Sequence, residues 1–152
     1  MELRKVRILV ADDSPADREL IRRSLLRGKV GCELYEVEDG EQLLDYLERR
    51  GKYSDSNAYP KPDLLLLDIN MPRIDGKQAL QRIRQMKTDT RLLPVVVLTT
   101  STNDVDVVES YELGVNAYVS KPVNVDEFVQ AMLRLEMFWF ELVTLPHNPQ
   151  LS

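Results

Sequence analysis

Five polar side chains in this 152-residue chain follow within two residues of short apolar runs: Asp12, Asp13, Asp68, Thr99 and Lys121. Any one acid after a strand is most simply a cap for the following helix, a role that Asp13 or Ser14 suits. Five such residues at the ends of four such runs point instead to one shared site. Clustered carboxylates repel one another and must bind a cation or take up protons. An all-oxygen ligand set favours Mg2+, which keeps several waters and adds phosphate oxygens. A carboxylate that faces both the cation and a lysine can attack phosphorus once the incoming phosphoryl charge is shielded. The Lys121 ammonium and the Thr99 hydroxyl would then hold two phosphoryl oxygens, with backbone amides holding the rest.

The runs that position these residues are short and β-rich: 6–11, 33–37, 64–67, 95–98 and 117–119. Three of them are nearly continuous Val, Leu and Ile, the pattern of strands covered on both faces in a parallel sheet. Helix signatures fill the gaps. Ser14-Pro15-Ala16-Asp17 supplies an N-cap, a proline at the first helical position and an acid at the third, and Gly28 closes that helix. Residues 41–50 carry Leu43, Leu44 and Leu47 on one stripe and end at Gly51. Gly76 opens a third helix with Ala79, Leu80, Ile83 and Met86 on one face. Asn103 caps a fourth running to Gly114, and Asn124 with Glu127 starts a fifth. Five βα units in succession predict an α/β fold, a doubly wound five-stranded parallel sheet with five helices. In open α/β sheets ligands bind beyond the carboxyl ends of the strands, where all five polar residues fall. Residues 52–62 form a polar loop with two prolines, longer than a usual αβ connection but too short for a domain boundary.

Composition narrows the function classes. Lys and Arg number 20 against 25 Asp and Glu, and the net charge of −5 argues against sequence-independent nucleic-acid binding. Cys32 as sole cysteine excludes an internal disulfide framework and a cysteine zinc site. His147, the one histidine, lies near the C-terminus and reads as a solvated tail residue, not as a catalytic or phosphodonor group. No segment approaches the roughly 20 apolar residues of a membrane span. The first residues lack the apolar core of a signal peptide, so a cytoplasmic location is expected.

The motifs Val-Ala-Asp-Asp-Ser (10–14), Leu-Leu-Leu-Leu-Asp-Ile-Asn-Met-Pro-Arg-Ile-Asp-Gly (64–76), Val-Val-Val-Leu-Thr-Thr-Ser (95–101) and Tyr-Val-Ser-Lys-Pro (118–122) resemble, in order and spacing, the receiver domains of two-component response regulators. The resemblance covers about residues 5–145 and implies the flavodoxin-like (βα)5 receiver fold. It implies that Asp68 is the phosphoacceptor and that Asp12 and Asp13, with Asp68 and the main-chain carbonyl of Asn70, hold Mg2+. It also assigns Thr99 to the phosphoryl group, Lys121 to its partner, and Tyr118 to the aromatic switch position. Thr100 departs from the small residue common there and narrows the approach to Asp68. The tail and the long loop before the third strand look like the small single-domain regulators paired with cyanobacterial and other bacterial phytochromes. The implied phosphodonor is then a light-regulated histidine kinase. The implied protein is a phosphoacceptor rather than an enzyme, with self-directed phosphotransfer and slow autodephosphorylation. Residues 1–146 are expected to form the receiver domain and 147–152 a short tail, with no DNA-binding domain following.

Three other readings fit less well. A Mg2+-dependent aspartyl phosphatase wants an Asp-x-Asp pair after strand one, and here Asp12 and Asp13 are adjacent. A nucleotide-binding module wants a glycine-rich phosphate loop, which the sequence lacks. A phosphorylation-independent interaction module would not need the full polar set. The tail adds an expectation of its own. A helix over 124–143 would be about 30 Å long, whereas a five-residue strand spans only about 17 Å. Met137, Trp139, Phe140 and Val143 on the overhang are too widely spread to face one sheet, so an interface, with a homodimer through the last helix, is expected.

Overall fold

The structure, a computed structural model, describes residues 6–27, 32–99, 112–121 and 126. Strands β1 (Val6–Ala11), β2 (Cys32–Val37), β3 (Leu64–Asp68), β4 (Val95–Thr99) and β5 (Ala117–Ser120) form one parallel sheet in the order β2-β1-β3-β4-β5. Helices α1 (Pro15–Arg27), α2 (Gly40–Leu47) and α3 (Gly76–Arg84) connect them, with 3-10 turns at Gly51–Ser54 and Asp89–Leu92. The expected alternation of strand and helix is therefore present through β4. The fourth and fifth helices, with Gly28, Asn103, Asn124, Glu127 and the patch Met137, Trp139, Phe140 and Val143, lie outside the described residues.

Successive strand residues point to opposite faces, and both faces are apolar because both are covered. Leu9, Ala11, Leu65, Leu67, Val95 and Val97 pack with Leu43, Leu44, Leu80 and Ile83 of α2 and α3. Ile8, Val10, Leu64, Leu66, Val96 and Leu98 pack with Ile21 and Leu25 of α1. Every residue of β3 is buried, so Asp68 at its end is carried into the interior by the strand.

The helix starts follow their capping chemistry. The Asp17 N–H donates to Ser14 Oγ at 3.2 Å, and the Gln42 N–H donates to the side chain of Asp39 at 2.7 Å. At α3 the Asp75 side chain accepts from Gln78 N–H while Gln78 reaches back to the Asp75 N–H, a full capping box. Gly76 is required there for close approach: a Cβ on it would stand 2.6 Å from the Asp68 carbonyl oxygen.

Two details differ from expectation. Helix α2 stops at Leu47, short of residue 50, because Arg49 takes a left-handed φ of 62° and its guanidinium binds the carbonyls of Tyr53 and Tyr59. The segment 52–62 is also less polar than its composition suggests. Tyr53 is buried, and its ring centroid lies 5.2 Å from that of Tyr46 and 4.9 Å from that of Tyr59. Buried Tyr46 donates its hydroxyl to the Pro60 carbonyl at 2.7 Å, so α2 holds the loop that feeds β3.

Strand β5 must be fixed from its lower end, because Lys121 stands at its upper end. Asn116 exchanges two hydrogen bonds with the backbone of Val95, at 2.8 and 3.0 Å. Arg84, at the end of α3, donates to the carbonyls of Leu113 (2.8 Å), Gly114 (3.0 Å), Arg91 (2.9 Å) and Leu93 (2.8 Å), and so ties together the entries to β4 and β5. Arg84→Met should lower stability by about 2 kcal/mol, since carbonyls in two loops lose a charged donor. Arg84→Lys should recover little of it, because an ammonium cannot reproduce the planar fork. Thermal melting checks this: unchanged melting of Arg84→Met would mean that the loops hold themselves.

Candidate functional site

The register of the sheet brings the polar residues together. Ala11 pairs with Leu67, Leu67 with Val97, and Val97 with Tyr118. One step further along the parallel strands, Asp12 leaves β1 beside Asp68 at the end of β3. Two steps beyond that, Lys121 leaves β5, and Thr99 closes β4 opposite Ser120. The side chain of Thr99, like Thr100 and Pro122, lies outside the described residues.

Asp12 is fully buried and Asp68 is 3% exposed, whereas neighbouring Asp13 is exposed to solvent. Each buried carboxylate has one oxygen tied to nearby backbone: Asp12 Oδ1 accepts the Ser14 N–H at 2.9 Å and Asp68 Oδ1 accepts the Asn70 N–H at 3.0 Å. The second oxygens face the ammonium. Lys121 Nζ lies 2.7 Å from Asp12 Oδ2 and 3.2 Å from Asp68 Oδ2, and reaches a third acid, Asp17 Oδ2, at 2.9 Å. Arg18, from the next position of α1, donates to the Asp12 carbonyl at 2.6 Å and pairs with Glu36 of β2 at 2.9 Å, fixing the β1–α1 turn.

Burial dominates the electrostatics of Asp68. It pushes the carboxyl up to about 6, opposed by the Asn70 N–H and Lys121 and reinforced by Asp12. For Lys121 burial works downward, but Asp12, Asp17 and Asp68 outweigh it and hold the ammonium above the ordinary lysine value. Between pH 3.8 and about 6 the folded chain keeps a proton on Asp68 that the unfolded chain has released. Stability from this group therefore falls as pH rises through that window. Near neutral pH the site holds more negative charge than Lys121 offsets, the condition under which a bound cation stabilises a fold.

The donor set fits a hard divalent cation. Asp12, Asp13 and Asp68 bring carboxylate oxygens within 4.8 Å of one another. Asp12 Oδ2 is buried and accepts no well-formed hydrogen bond, despite the nearby ammonium. Oxygen donors with an unspent buried lone pair suit Mg2+, Mn2+ or Ca2+. Asn70, whose carbonyl was expected to complete the set, is exposed next to this cluster. Tyr118 is half-buried on β5 and packs against the core face covered by α2 and α3. Asp17, by its sequence position a helix-start acid, is also a partner of Lys121, a contact that the sequence pattern does not show. The one signal available was its place, one helical turn beyond Asp13.

Residues 8–133 match the response regulator receiver domain family. The chain is 42% identical over 139 residues to the response regulator Rcp1 of Synechocystis sp., covering 91% of this chain and 92% of that protein. A crystal structure of the Mn2+-bound form of Rcp1 is similar at a TM-score of 0.74, with 40% identity over 91% of this chain and 97% of that one. The bacteriophytochrome response regulator RtBRR is similar at a TM-score of 0.77 and 43% identity, covering 87% of this chain and 78% of that one. The phosphorylated cyanobacterial phytochrome response regulator RcpA gives 0.76 and 35%, covering 93% and 98%. Sheet order, acidic strand ends and sequence agree, and this chain belongs to the response regulator receiver domains of two-component signalling.

Proposed function

We propose that this chain is a single-domain response regulator in which Asp68 accepts a phosphoryl group from the phosphohistidine of a sensor histidine kinase. The observation that carries the reading is the state of Asp68: buried at a strand end, one oxygen pinned by the Asn70 N–H, the other facing Lys121 beside Asp12. Mg2+ held by Asp12, Asp13, Asp68 and the main-chain carbonyl of Asn70 would supply positive charge that shields the phosphoryl oxygens from these acids. Asp68 Oδ2 attacks phosphorus. A P–O bond forms as the P–N bond to the donor histidine breaks, and the imidazole nitrogen takes the electron pair and then a proton. Lys121 pairs with a phosphoryl oxygen and Thr99 with another, and Tyr118 responds as the switch residue. Water attack on the same phosphorus breaks the P–O bond to Asp68, releases inorganic phosphate and slowly returns the carboxylate to its starting state. This is self-directed chemistry on one bound group, and an aspartyl phosphatase acting on free substrates is not favoured by the family match.

RcpA and RtBRR are named for phytochromes, which supports a phytochrome-type kinase as donor in the cytoplasm, where ATP is available. Among the described residues no helix is long and apolar enough to cross a membrane. Residues 1–146 make the receiver domain, with five helices, and 147–152 a tail. Signalling runs through protein contacts, without nucleic acid. Met137, Trp139, Phe140 and Val143 form the interface of a homodimer, supported by their apolar bulk in sequence.

Acetyl phosphate with Mg2+ should add one phosphoryl group, seen by mass spectrometry, and Asp68→Asn should abolish it; equal labelling of the variant would sink the assignment. At ten times its dissociation constant and pH 7, Mg2+ should add about 1.4 kcal/mol to stability, raising the melting temperature by roughly 3–6 °C. Asp13→Ala should remove most of that rise, and an equal rise in the variant would count against the cation site. Sedimentation over a range of concentrations should show a dimer that Trp139→Ala/Phe140→Ala weakens at least tenfold. A wild type that stays monomeric at high micromolar concentration, phosphorylated or not, would rule the dimer out.

A further inference from the structure

One contact at the site has no part in the phosphoryl chemistry above: Lys121 Nζ donates to Asp17 Oδ2 at 2.9 Å. Asp17 is at the third position of α1, where an acid ordinarily reaches back to the N–H of the capping residue. Here that N–H, on Ser14, is already taken by Asp12 Oδ1 at 2.9 Å. The Asp17 carboxylate is thereby released from its capping task and turns to the lysine. Its side chain is 28% exposed against 7% for Lys121, so Lys121 is held between two buried acids and one partly solvated acid.

We propose that Asp17 is a positioning residue for Lys121, one that keeps the ammonium available to a phosphoryl group instead of leaving it locked between Asp12 and Asp68. The proposal rests on Asp68 as phosphoacceptor. A lysine ammonium has three donors, and here three carboxylates meet it. Two of those partners change role when the site works, since Asp68 carries the phosphoryl group and Asp12 belongs to the cation cluster. Asp17 stands outside that cluster and can keep its hydrogen bond throughout. Without it the ammonium loses its third partner and settles on Asp12 Oδ2 and Asp68 Oδ2, the oxygens that the cation and the phosphorus require. The attraction of the acids for Lys121, strong enough to override its burial, is the force that Asp17 divides.

The test is the rate of phosphorylation by acetyl phosphate at saturating Mg2+ for the wild type, Asp17→Ala, Asp17→Asn, Lys121→Ala and the Asp17→Ala/Lys121→Ala double variant. Asp17→Ala should slow labelling about fivefold, and Asp17→Asn should recover most of the loss because its amide oxygen still accepts from the ammonium. In the Lys121→Ala background the same alanine should change the rate by less than about twofold, since the group it acts through is gone. An equal loss in both backgrounds would show a role confined to helix α1 and overturn the proposal, as would a wild-type rate in Asp17→Ala. Labelling that persists in Asp68→Asn would remove the phosphoacceptor reading itself, and that result is distinguishable because it does not depend on any Asp17 variant.

Discussion

Two carboxylates, Asp12 and Asp68, are taken out of water at the ends of adjacent central strands, and the Lys121 ammonium is set between them. The rest of the structure answers to that arrangement. Removing a carboxylate from water is costly unless a charge and hydrogen bonds replace the solvent. Backbone N–H groups of Ser14 and Asn70 replace part of it on one oxygen of each acid, and Lys121 replaces part on the other. The replacement is incomplete: Asp68 still holds its proton to about pH 6, and Asp12 Oδ2 accepts no well-formed hydrogen bond. A site left short of positive charge has a carboxylate set suited to a divalent cation. That shortage links the fold to its chemistry.

The sheet meets this demand through register and close packing. Parallel strands in register end together, so residues distant in sequence reach one edge without long side chains. Gly76 lets the start of α3 press on the end of β3, and Arg84 at the other end of the same helix ties down the loops that enter β4 and β5. One helix thus braces the strand that carries Asp68 and the strand that leads to Lys121. Close side-chain packing on both faces of the sheet holds the strand ends in place.

Much of this was legible in sequence. The all-apolar run 64–67 could be nothing exposed, and the acid after it had to end at the sheet edge. The Ser14-Pro15-Ala16-Asp17 start and the glycine at 76 were read correctly as helix starts because capping is local chemistry. What escaped was non-local or conformational. Asp12 and Asp13 are the same residue type side by side just beyond β1, and only the path of the chain leaving the strand decides that one is buried and the other exposed. The left-handed Arg49 carries no sequence mark, since its conformation is enforced by carbonyls up to ten residues further on. The tyrosines at 46, 53 and 59 lie in a segment whose average composition is polar, and they pack only after the chain has turned. The pair of Asp17 and Lys121 spans 104 residues, beyond the reach of any local pattern.

Direct titration of the Asp68 carboxyl carbon by carbon-13 NMR, assigned with Asp68→Asn, tests the electrostatic shortage itself. In the metal-free protein the midpoint should lie at about pH 6, because burial outweighs the Asn70 N–H and Lys121. Saturating Mg2+ should lower it by at least about one unit, since the cation competes with the proton for the same oxygens. A metal-free midpoint near 4, unmoved by Mg2+, would mean that Lys121 and the backbone already satisfy the carboxylate, and would contradict a site poised to take up cation and phosphoryl group.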